Sequence, residues 1–234
     1  MWQNTETGER AIWFLRDGRY QSAAYLPTIT PQWRIAGAAD FNADNHADIV
    51  WQNINTGERA LWFLRNGQFQ GGIYLPTILA EWRIAGAADF NRDGSADIAW
   101  QNINTGERVI WFLRNGLYHS GVLLPTIPAE WRIGGAADFN ADGYADLAWQ
   151  NINTGERVIW FLQNGQYQSS VALPQIAAEW RIAGAADFNA DGYADLAWQN
   201  LNTGERVIWF LHNGQFQSGI HLPMIAQQWD IGVH

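Results

Sequence analysis

Trp2, Trp51, Trp100, Trp149 and Trp198 stand 49 residues apart, and the sequence around each repeats with them. A chain made of five copies of one unit must build five copies of one structural element, because every copy presents the same apolar pattern to the same kind of neighbour. The copies are close. The units beginning at Trp100 and Trp149 differ at 8 of 49 positions, which points to recent duplication or to design, and each unit carries three Trp, accounting for all 15.

Within the third unit, Glu130 to Phe139 (EWRIGGAADF) reads as a first strand ending in small residues suited to a crowded axis. Asp146 to Asn151 is a second strand, followed by a turn at Asn153-Thr154-Gly155-Glu156. Arg157 to Leu162 is a third. Asn164-Gly165 is a two-residue hairpin turn, since both residues tolerate positive φ, and Gln166 to Leu173 is a fourth, more polar strand. RVIWFL lacks apolar–polar alternation, as expected for a sheet enclosed between two others. Four antiparallel strands per period, running from small and buried to polar and exposed, describe one blade of a β-propeller.

The expected fold is therefore all-β: a single domain over residues 1–234, a propeller of five four-stranded blades. First strands start at Trp33, Trp82, Trp131, Trp180 and Trp229, one for each second strand. The closing blade combines residues 228–234 with residues 1–30, so that the C-terminal strand completes the N-terminal blade. A chain that closes its own ring is expected to be a monomer.

Each of four units also contains an aspartate-rich loop. In Asp138 to Asp146 (DFNADGYAD) oxygen-bearing side chains fall at positions one, three, five and nine, with a glycine bend at six and a backbone carbonyl at seven. That spacing converges hard oxygen donors on one cation of the calcium type. The candidate ligands are Asp40, Asn42, Asp44, His46 (carbonyl) and Asp48; Asp89, Asn91, Asp93, Ser95 and Asp97; Asp138, Asn140, Asp142, Tyr144 and Asp146; and Asp187, Asn189, Asp191, Tyr193 and Asp195. Up to four Ca2+ ions are expected, in a structural role. The closing blade has its chain break where a fifth loop would be. Position twelve of the third loop is Trp149 rather than Glu and the flanks are strands, so this is no EF-hand.

Composition narrows the function. The net charge of -9 argues against nucleic acid, and the four loops hold 12 of the 23 acids. No apolar run is long enough for a membrane span, and no charged segment followed by an apolar stretch marks a signal peptide in this chain. The absence of Cys removes thiol chemistry. No non-repeated acid or base cluster breaks the symmetry to form an active site, so a non-enzyme is expected. His46, His119, His212, His221 and His234 occupy unlike positions and read as surface substitutions.

DFNADGYADLAWQN followed by TGERVIWFLQNG resembles the FG-GAP or VCBS repeat of bacterial surface and secreted proteins, related to the integrin α-subunit propeller. The resemblance implies that the loop joins the first two strands of a blade and binds calcium, and that the protein is extracellular or on the cell surface. Some relatives of this type are lectins with sites between blades and others are adhesion modules. The first loop departs from the pattern with Asn45 in place of Gly, and weaker calcium binding is expected there.

For a ligand, the candidates are Trp33, Trp82, Trp131, Trp180 and Trp229 at the start of the first strands, with Arg34, Arg83, Arg132 and Arg181 beside them. They share an end with the Asn-Thr-Gly-Glu turns; the competing reading is a wedge between blades with Arg paired to Glu. Trp51, Trp100 and Trp149 precede Gln-Asn, a pairing able to meet a sugar ring and its hydroxyls, whereas Trp62, Trp111 and Trp160 read as core. Arg10, Arg59, Arg108, Arg157 and Arg206 recur as Gly-Glu-Arg and suit inter-blade bonds to backbone carbonyls. The leading expectation is multivalent glycan recognition; a scaffold whose blades hold only each other, and a protein-binding adhesion module, are the alternatives.

Overall fold

The computed structural model describes residues 1–224 and 228–231, and its regular structure is entirely β: twenty strands in five four-stranded antiparallel sheets. The innermost strands are Trp33–Ala39, Trp82–Ala88, Trp131–Ala137, Trp180–Ala186 and Trp229–Ile231. Second strands are Trp2–Asn4, Asp48–Asn53, Asp97–Asn102, Asp146–Asn151 and Asp195–Asn200. Third strands are Arg10–Arg16, Arg59–Arg65, Arg108–Arg114, Arg157–Gln163 and Arg206–His212. Arg19–Leu26, Gln68–Tyr74, Leu117–Leu123, Gln166–Ala172 and Gln215–His221 form the outer edge.

Blades two to five take their strands consecutively, and blade one borrows its inner strand from the far end of the chain. That strand pairs with the first in the register Trp2↔Ile231, Gln3↔Asp230 and Asn4↔Trp229. The ring closes as the repeat arithmetic requires. Residues 232–234, part of the expected closing segment and including His234, lie outside the described residues.

The radial gradient of burial follows the residues. Second strands of blades two to five are buried at every position, and the outer strands are largely exposed. The second halves of the inner strands are short-chained because neighbours approach too closely there for anything larger: a Cβ built on Gly86 would stand 2.8 Å from that of Ala136 in the next blade. The hairpin at Asn164-Gly165 has φ of 49° and 70°, the two positive values that a twist-matched two-residue turn needs.

The joint between blades is made by side chains that reach backbone. Gln101 Nε2 donates to the Trp131 carbonyl (2.8 Å) and its Oε1 accepts the Ile133 N–H (3.2 Å), so one amide side chain mimics a strand residue across the gap. Arg108 donates to the carbonyls of Gly106, Ile127 (2.7 Å), Pro128 (3.2 Å) and Trp131 (2.6 Å), and its guanidinium lies 5.1 Å from the Trp149 ring centre. The inter-blade role expected for the Gly-Glu-Arg arginines is thus what the structure holds.

Candidate functional site

At one end of the ring each aspartate loop closes on its own backbone. Asp138 accepts the N–H of Asp142 at Oδ1 (3.2 Å) and of Gly143 at Oδ2 (2.8 Å); Asn140 Oδ1 accepts the Asp142 N–H (3.0 Å), and Asp142 Oδ1 the Tyr144 N–H (2.8 Å). Asn140 Nδ2 donates to Asp142 Oδ2 at 3.0 Å. The same bonds recur around Asp40, Asp89 and Asp187. Neighbouring loops are also joined, since Ala96, Ala145 and Ala194 donate to the carbonyls of Asp40, Asp89 and Asp138.

The ninth position behaves differently. Asp48, Asp97, Asp146 and Asp195 are fully buried. Asp146 accepts the N–H of Leu162 at Oδ1 (2.8 Å) and of Phe139 at Oδ2 (3.0 Å), tying the loop to a bulge in the third strand. Burial, against those bonds, pushes Asp97 and Asp146 up to about 7, Asp195 to about 6, and Asp48 also upward.

As a test of calcium, the donor set is chemically apt: all oxygen, at alternate positions, on an exposed loop. As the loop stands, the carboxylates at positions one and nine each accept two backbone N–H groups, and the ninth is in addition fully buried. Among the described residues no three acid or imidazole side chains are gathered tightly enough to hold a metal as they stand.

An aromatic row crosses each blade and runs outward toward the hairpin, at the end that carries the aspartate loop. In blade two the ring centres of Trp51 and Trp62 are 5.0 Å apart and those of Trp62 and Phe69 4.8 Å. Equivalent rows run through Trp2–Trp13–Tyr20, Trp100–Trp111–Tyr118, Trp149–Trp160–Tyr167 and Trp198–Trp209–Phe216. Their outer members are exposed. In blade two the row opens into a cavity of about 250 Å³ walled by Trp33, Trp62, Phe69 and Tyr74, with Trp51 in its lining.

The FG-GAP-like repeat pattern matches residues 40–100 and 138–198, just over half of the chain. The chain belongs to the FG-GAP-like repeat family. Each match runs from one aspartate loop into the next blade, so the family's pattern covers the loop, the buried second strand and the joint. No curated protein sequence matches this FG-GAP-like chain. Among solved structures it is similar to one described as a nidogen/laminin complex (17% identity, 92% of this chain and 74% of that one, TM-score 0.56). It is also similar to a protein of unknown function from Bacteroides caccae (18%, 92% and 70%, TM-score 0.48) and to regucalcin, a calcium-binding protein from Agrobacterium tumefaciens (13%, 81% and 75%, TM-score 0.49). At these identities the likeness is one of fold.

The FG-GAP-like ring separates residues that are adjacent in sequence. Trp33 faces the aromatic cleft, while Arg83, Arg132 and Arg181, each next to such a Trp, line a different cavity at the axis, as neighbours in a strand must point to opposite faces. Trp82, Trp131, Trp180 and Trp229 are half-buried against their blade cores. Arg34, Arg83 and Arg132 form no ion pair with Glu, so that form of the wedge reading is set aside. The sugar-binding reading of Trp51, Trp100 and Trp149 with Gln-Asn is corrected. Those indoles are fully buried, the Gln side chains latch the next blade, and Asn151 Oδ1 accepts the N–H of Asn153 and Thr154 to shape the turn. The outer Phe and Tyr of each row escaped sequence reasoning. Their signal was an aromatic two residues after every hairpin Gly.

Proposed function

We propose that the protein is a non-catalytic, multivalent carbohydrate-binding module of the extracellular space or cell surface, stabilised by calcium. The observation that carries this reading is the aromatic row repeated in all five blades and ending in an exposed ring. An exposed aromatic face suits the apolar face of a pyranose, and five weak sites on one ring gain avidity on a polyvalent glycan. Calcium is held through the side chains at positions one, three and five and the carbonyl at position seven of each loop. The ninth carboxylate anchors the loop. A glycan array with and without chelator tests the module; absence of binding to every glycan in calcium rejects it. Substituting Phe69 by Ala, which removes the exposed ring of one row, should weaken binding to a polyvalent glycan without abolishing it, since four rows remain.

A scaffold is the second reading, favoured by how many of the repeated Arg, Gln and Trp are occupied in holding the next blade.

A further inference from the structure

We propose that the axial cavity at the turn end of the ring binds one small organic carboxylate with an apolar body. The cavity holds about 380 Å³ and is lined by the inner strands of blades three to five and the turns beside them. Arg83, Arg132 and Arg181 supply positive charge, Ile84, Ile133 and Ile152 are among the side chains of a largely apolar wall, and among the described side chains no Asp or Glu lines it. Such a lining, a few charged groups set in hydrocarbon, is that of an organic-ligand site, and the volume falls within the usual range.

Two of these guanidinium groups have donors to spare. Nη1 of Arg83 and of Arg132 is buried and has no acceptor. Backbone carbonyls before and at the start of these inner strands are already taken by the Gly-Glu-Arg arginines, Arg59 donating to those of Ile78 and Trp82 and Arg108 to those of Ile127 and Trp131. Burial lowers Arg59 and Arg108 to about 10, and Arg83 and Arg132 respectively add to that lowering, so positive potential accumulates at this end of the axis. The turn glutamates are held at the rim by threonine hydroxyls, as Glu107 is by Thr105 (2.8 Å). A carboxylate meets a guanidinium fork through paired hydrogen bonds, and the apolar wall selects a hydrocarbon body over a bare inorganic anion. At roughly 30 Å³ per water the cavity equals about a dozen waters, which suits a chain of about eight carbons.

The site departs from fivefold symmetry. Arg34 is absent from the lining, the fifth equivalent position is Asp230, and Gly134 lines the cavity where other blades carry Ala36, Ala85 and Ala183. One ligand per chain is therefore expected, in contrast to the five aromatic rows.

The test is calorimetric titration of the full chain with sodium octanoate, 1-octanol and inorganic phosphate. Octanoate should bind one to one, with octanol and phosphate at least tenfold weaker, and Arg132→Met should weaken octanoate at least tenfold while the exposed Arg16→Met leaves it unchanged. The proposal is overturned by no octanoate binding at millimolar concentration, by a stoichiometry near five, by octanol or phosphate binding as tightly, or by an Arg132→Met protein that binds normally. If that variant does not fold, the comparison of octanoate with octanol on the unaltered chain decides.

Discussion

The Arg206 guanidinium lies 5.0 Å from the centre of the Trp2 ring and donates to the carbonyl of Trp229, so one side chain grips both ends of the chain at the seam of the ring. In every other blade the inner and second strands are joined covalently through the aspartate loop. This one is held by a three-residue strand and by Arg206 with its neighbour Gln199, whose Oε1 accepts the Ile231 N–H at 3.3 Å.

Arg206→Lys should therefore lower the melting temperature more than Arg108→Lys. A lysine keeps the charge but loses the fork and the stacking on Trp, a loss of about 1–3 kcal/mol at either place. At the seam the loss also frees the terminal strand, which limited proteolysis near the C-terminus would detect. Equal melting of the two variants would contradict the seam argument.

The buried ninth-position carboxylates set a pH dependence. In the unfolded chain these Asp residues titrate near 3.8, while in the fold burial raises Asp97 and Asp146 to about 7 and Asp195 to about 6. Between those values the folded protein binds more protons than the unfolded one. Stability in chelator should thus be highest near pH 4 as regards these groups, fall as pH rises to about 7, and level off above it. A chelated protein that gains stability across that window would show that the two backbone bonds, and not burial, dominate. Asp97→Ala should destabilise at every pH, because it leaves the buried N–H of Phe90 and Leu113 without acceptors, at about 1–3 kcal/mol each.

Much of this was readable in the residues, for a physical reason. The period, the Asn-Gly turns and the aromatic third strands are local signals, and Asp146–Asn151 begins and ends where the sequence suggests. The inner strand is shorter than expected, Trp131–Ala137, because the Glu130 carbonyl turns to accept the Ile152 N–H and the Phe139 N–H turns to Asp146. What could not be read is direction. Gln101 beside Trp100 looks the same whether it meets a sugar or the next blade, and Asp146 looks the same whether it faces a cation or Leu162. The left-handed φ of Ala43, Arg92, Ala141 and Ala190, 59° to 62°, likewise has no compositional mark.

Asn45 holds φ of 64° where the other loops place a glycine. Asn45→Gly should stabilise the protein by up to about 1 kcal/mol by removing left-handed strain, and should raise the calcium-dependent increment in melting temperature. An unchanged midpoint on adding calcium to both proteins would count against the loops as cation sites.

Glycines at two kinds of turn should respond differently. Gly165, with φ of 70°, would place a Cβ 2.8 Å from Val122 in the preceding blade, whereas Gly192, with φ of 91°, has open space around it. Gly165→Ala should cost strain and a displaced neighbour, and Gly192→Ala strain alone, about 1 kcal/mol. Denaturant midpoints for the two would separate those contributions.

The bonds made by Gln101 and Arg108 end on carbonyl and amide groups that every amino acid provides. Apart from the one Trp on which the guanidinium lies, each blade therefore recognises its successor without reading the successor's side chains there, and it does so in one direction around the ring. Outward-facing residues of one blade are consequently free to change without renegotiating its grip on the next. A ring of this kind can diversify five surfaces independently while its mechanical linkage stays the same.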